Sequence, residues 1–176
     1  PDVRDPNSEG DNLFLSSILA VDADTGEYRW HYQTTPRDRW DYTATQQIML
    51  ADLPLGEGGA SRRVVMQAPK NGFFYVLDAA DGELISATPF TNQNWTTGEF
   101  DENGRPVLVE EAVDLALYAV VPGPTGAHNW HPMSYNPDTG LVYIPVLDFP
   151  AAYGQPEEFI YRPGISNTGT DGVIGS

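Results

Sequence analysis

The chain has 176 residues and carries 25 acidic against 9 basic side chains, for a formal charge of −16. That length and a 40% hydrophobic content exclude a disordered composition, and the acidity excludes nucleic acid and anionic membrane surfaces, which are bound through clustered Lys and Arg. No cysteine is present, which excludes disulfides, thiolate metal sites and a c-type haem attachment motif within these residues.

No apolar run is long enough to span a membrane, and the polar opening PDVRDPNSEGD lacks the pattern of a signal peptide. The 15 prolines and 17 glycines, spread along the chain, predict many turns and an all-β design. The first predicted hairpin is LAVDADTGEYRW, residues 19–30, with Asp22 to cap a turn and Gly26 to complete it. A connector follows, HYQTTPRDRWDYTATQQ (31–47), in which Asp41 lies between Trp40 and Tyr42. Ordinary connections are built from Gly, Pro, Asn and Ser. Two large rings around a carboxylate suggest a site from which water is excluded. Arg37 and Arg39 are candidates to pair with Asp38 or with a neighbouring blade.

Four strands come next: ATQQIMLADL, RRVVMQA, FFYVLD and ELISA. KNG joins the second to the third, and AADG, with Asp78 and Gly82, joins the third to the fourth. DENGRP (101–106) reads as an acidic turn, because EF-hand spacing is absent. EEAVDLAL (110–117) is the sole short helix candidate. His128 and His131 lack a third ligand nearby, which argues against zinc. A last hairpin, SYNPDTGLVYIP (134–145), repeats the turn with Asn136 and Gly140.

Asp22, Asp78 and Asn136 recur at nearly equal intervals, each with a Gly four residues on. Such a repeat with several short strands predicts β-propeller blades, near 11–35, 41–90 and 126–150; a generic β-sandwich is the plainer alternative. Antiparallel strands reverse at each turn, so the KNG turn and the connector into the next blade emerge at the same end. Asp41 and Lys70 are therefore expected on one face of the disc. Aligning the third repeat on the second sets Asn129 opposite Asn71, on that face too. Propellers close with four or more blades, so about three repeats imply a piece of a longer ring or an oligomer.

These residues resemble a known family. DNLFLSSILAVDADTGEYRWHYQTTPRDRWDYTATQ, APKNGFFYVLD and GAHNWHPMSYNPDTGLVYIP, in this order, are similar to the pyrroloquinoline quinone (PQQ) dependent alcohol dehydrogenases. The blade signature A-x-D-x-x-x-G-x-x-x-W is complete at Ala20, Asp22, Gly26 and Trp30 and degenerate in the second copy, with Val76 and Ser86. The resemblance implies an eight-bladed propeller, of which this chain looks like an internal portion, with the quinone on the axis. It implies that Asp41 is the general base and borders the metal. Lys70 would contact the quinone oxygens, and Asn129, with Trp130 beside it, would contact the cofactor. A plainer reading has Trp130 and Trp95 as rings that fill wedges between blades. Thr43 stands where lanthanide-using relatives carry an extra carboxylate, which points to Ca²⁺. The family's other metal ligands, a glutamate and an asparagine, and its vicinal disulfide align upstream of Pro1. A haem c domain, where present, would lie beyond Ser176. The implied activity is oxidation of primary alcohols in the periplasm, with electrons passed to a cytochrome c-type acceptor. The alternatives are a non-catalytic propeller scaffold and an inactive truncated segment.

Overall fold

The computed structural model describes residues 10–114, 119–154, 158, 160–170 and 173–175. Two antiparallel strands, β1 (Ser17–Val21) and β2 (Tyr28–Gln33), form the first hairpin. His31, Tyr32 and Gln33 thus belong to a strand and not to the connector, which begins at Thr34. Tyr32 is pulled into the sheet because its ring is buried against Tyr75, with centroids 5.4 Å apart.

A four-stranded antiparallel meander follows, in the order β3 (Met49–Leu53), β4 (Arg62–Gln67), β5 (Phe73–Asp78) and β6 (Leu84–Pro89). The four predicted strands are therefore present, with the first shortened to its C-terminal half. Period-two alternation divides the side chains of β4 and β5 between two cores. Phe73, Tyr75, Leu77 and Val65 face one side, toward Trp30 and Tyr32 of the first hairpin. Val64, Met66 and Val76 face the other, against Tyr135 and Val142 of the third repeat. That third repeat is a hairpin of β9 (Ser134–Asn136) and β10 (Leu141–Tyr143). One complete sheet is thus stacked between two neighbours, as blades stack in a propeller.

The three turns share one chemistry. The side-chain oxygens of Asp22, Asp78 and Asn136 accept backbone N–H groups two residues on. The backbone carbonyls of the same residues accept the N–H of Gly26, Gly82 and Gly140. Gly82 has a second task. Trp30, the signature tryptophan of the first repeat, lies over it and donates its indole N–H to Ala79 O at 3.2 Å. A Cβ on Gly82 would stand 2.6 Å from Trp30 Cε3. The second repeat carries Ser86 where the first has Trp30, so its docking onto the third lacks this anchor.

Gly82→Ala should therefore cost about 2–4 kcal/mol, the sum of a left-handed backbone (φ +79) and overlap with Trp30. Gly140→Ala, with nothing within 4 Å of its Cβ, should cost about 1 kcal/mol. Denaturant unfolding of the full-length protein measures both. Equal losses would show that docking of Trp30 on the turn adds nothing.

Several elements escaped the sequence. β7 (Thr96–Phe100) and β8 (Pro106–Leu108) form a hairpin around the DENGRP turn, where the Asp101 carboxylate accepts from the N–H groups of Asn103 and Arg105. The helix is shorter than expected, α1 (Glu110–Val113), and residues 115–118 of the predicted segment lie outside the described residues. β11 (Ala151–Tyr153) pairs with β12 (Val173–Gly175).

Candidate active site

The connector after β2 is held by its own side chains. Asp38 accepts hydrogen bonds from the backbone N–H of Trp40 at 3.0 Å and from the Ser16 hydroxyl at 2.9 Å. Removal from water pushes the Asp38 carboxyl above its usual range, and these hydrogen bonds partly counter that. No arginine pairs with it among the described residues, so of the two pairings expected for Arg37 and Arg39 the one with Asp38 is absent. Arg37 instead reaches Glu110 at 3.4 Å, and the Nε of Arg39 is buried without a hydrogen-bond partner among the described residues.

Trp40 and Tyr42 are both fully buried. Trp40 donates its indole N–H to Ala112 O at 3.1 Å, and Tyr42 donates its hydroxyl to Pro122 O. Their rings pack on Trp95, 5.6 and 5.7 Å away. The expectation that they screen the carboxylate from water is therefore corrected. They point inward and anchor the loop, while Asp41 between them turns out with φ +68 and a side chain 64% exposed. Its carboxylate opens into a cavity of about 930 Å³ that Thr43, Arg39 and Tyr153 also line.

Lys70 lies in the turn between β4 and β5, and its side chain is only 9% exposed. Its ammonium donates to the backbone O of Asp41 at 2.9 Å and to Oδ2 at 3.0 Å. Two of the three residues expected on one face by strand parity, Asp41 and Lys70, are thus in direct contact. Beside Lys70, buried Asn71 gives its amide to Thr34 O, Thr35 Oγ1 and the Tyr75 hydroxyl, tying the β4–β5 turn to the start of the connector.

The loop that carries Asn129 docks on the same turn. Ala127 N–H bonds Lys70 O at 2.9 Å. A Cβ on Gly126 would overlap the Lys70 side chain, so only glycine allows this approach. His128, fully buried, places Nδ1 2.5 Å from Ala68 O and Nε2 2.7 Å from His131 O. It is a clamp for the loop, and among the described residues no three His, Cys, Asp or Glu side chains group to hold a metal. Asn129 itself is part-exposed and donates to Thr125 O at 2.8 Å. Trp95 is a packing residue, as the plainer reading had it. Trp130 is not: it is 78% exposed, with its ring stacked on His131 at 4.0 Å.

Sequence reasoning missed Gly126 and the roles of Asp38 and His128. The signal for Asp38 was an Asp two residues before a buried ring, the spacing of an Asx turn.

Residues 2–94 match the family described as PQQ: glucose/ethanol/alcohol dehydrogenase, beta-propeller domain. The chain is 60% identical over 152 residues to the quinohemoprotein alcohol dehydrogenase ADH-IIG of Pseudomonas putida, covering 83% of this chain and 21% of that protein. It is 49% identical over 172 residues to the quinohemoprotein alcohol dehydrogenase of Comamonas testosteroni, covering 96% and 24% respectively. The solved structure of the Pseudomonas putida HK5 enzyme ADHIIG superposes with a TM-score of 0.85 at 55% identity, over 92% of this chain and 24% of that one. The chain thus spans under a quarter of the length of these relatives.

Proposed function

The chain belongs to the PQQ-dependent glucose/ethanol/alcohol dehydrogenase β-propeller family, and from this we infer that the protein oxidises primary alcohols, with Asp41 as general base. The observation that carries the reading is the contact of Asp41 with Lys70, on the turn where the Asn129 loop docks.

The residues present fit the cofactor by the chemistry of their donors. Asp41 offers an exposed carboxylate to a hard divalent cation. Lys70 is a nearly buried ammonium that can face quinone oxygens. Asn129 adds an amide, and the exposed ring of Trp130 offers a flat face to a planar molecule. When bound, the quinone would supply a hydride acceptor and Ca²⁺ would supply Lewis acidity.

The chain's own residues do the rest. Asp41 accepts the proton of the alcohol hydroxyl. Lys70 stabilises negative charge that develops beside it. Trp40 and Tyr42 hold the loop so that the carboxylate keeps its aim. The electrons would pass to a cytochrome c-type acceptor in the periplasm.

The test is reconstitution of the full-length protein. Alcohol-dependent reduction of a one-electron dye should require added PQQ and Ca²⁺. Turnover with NAD and no PQQ would overturn the reading. The cation is set by Thr43, which lines the Asp41 cavity without adding charge. Metal-free protein refilled with La³⁺ should stay inactive, and Thr43→Asp should create a La³⁺ response. Activity with La³⁺ alone in the unaltered protein would contradict Ca²⁺.

A further inference from the structure

Resting on the reading of Asp41 as base, we propose that Asp38 is the positioning residue that aims it. The backbone N–H of Trp40, the residue before Asp41, ends on the Asp38 carboxylate at 3.0 Å. On the other side, the Lys70 ammonium holds the Asp41 C=O at 2.9 Å. Asp41 therefore lies between a backbone group held before it and one held after it, and the planar peptides that join them leave it little freedom to turn.

That grip is needed. Asp41 sits at φ +68, a left-handed conformation that costs a non-glycine residue about 1–2 kcal/mol. Such a conformation persists where its surroundings over-determine it. The buried rings of Trp40 and Tyr42 anchor the loop from below, but a ring on a rotatable stem does not set the plane of the peptide between them. The Asp38 carboxylate is itself fixed from another element, since the Ser16 hydroxyl donates to it at 2.9 Å from just before β1. Asp38 is therefore a strut between the first hairpin and the base.

The experiment uses the full-length protein loaded with PQQ and Ca²⁺. Asp38→Ala should lower kcat about a hundredfold, the cost of displacing a catalytic group by about 1 Å, with KM within threefold. Asp38→Asn keeps one oxygen for the Trp40 N–H and should lose about tenfold. Bound quinone, read by its absorbance, should be unchanged in both. Hydrogen exchange should quicken at the Trp40 amide and stay slow in β4 and β5. Wild-type kcat in both variants would overturn the proposal. So would a loss of kcat matched by loss of quinone and by faster exchange throughout the blade, which marks a merely structural role. Should Asp38→Ala fail to fold, Asp38→Asn decides. Asp41→Asn separates the two claims: if it is inactive while the Asp38 variants work normally, only this inference fails; if it turns over normally, the base reading fails and this inference with it.

Discussion

Asp41→Asn in the full-length protein is expected to lower kcat for alcohol oxidation by about a thousandfold, the upper range for loss of a general base. Asparagine is nearly the same shape and tolerates the left-handed backbone at this position. Its carbonyl oxygen can still accept from Lys70, and the backbone O of residue 41 keeps its own bond to that ammonium. What disappears is the negative charge and the ability to take a proton. Quinone content should hold, because Lys70, Asn129 and Trp130 are untouched. Steady-state kinetics with a one-electron dye, together with quinone absorbance, make the measurement. Normal turnover would remove Asp41 from the base role, whereas an empty quinone site would show that its main work is binding.

Trp40→Ala should have the largest effect on stability, about 3–5 kcal/mol. The side chain is fully buried and packs on Tyr42 and Trp95 at 5.4 and 5.6 Å. Truncation leaves a cavity where the connector, α1 and Trp95 meet, and it removes the indole N–H that Ala112 O accepts. Trp40→Phe fills most of the space but loses the same hydrogen bond, so about 0.5–1.5 kcal/mol is expected. Denaturant unfolding measures the losses. Activity should fall with them, because the residue after Trp40 is the base and its loop has lost its anchor. A loss under about 1 kcal/mol for Trp40→Ala would show that this ring does not close the wedge between sheets.

The hairpin turns were legible because their physics is local. Asp22, Asp78 and Asn136 cap N–H groups two residues away, and the glycine four residues on completes the turn. Strand parity, which is also a property of neighbouring elements, was enough to put Asp41 and Lys70 on one face. The β7–β8 hairpin was hidden because only Thr96, Phe100, Pro106 and Leu108 show inward character, split over two strands too short for a period to register.

The connector shows where local reading stops. Charges and rings in alternation announced a special loop, and its order along the chain carried the family resemblance. Which side chains face inward was another matter. Trp40 and Tyr42 turn in because their polar atoms meet carbonyls 72 and 80 residues away, at Ala112 and Pro122. Asp38 faces Ser16 across 22 residues, and Gly126 meets Lys70 across a loop with no signature of its own. Turn chemistry acts over a few bonds and is written in adjacent letters. The aim of a loop side chain depends on which distant surfaces come to lie beneath it, and that is settled when the sheets stack.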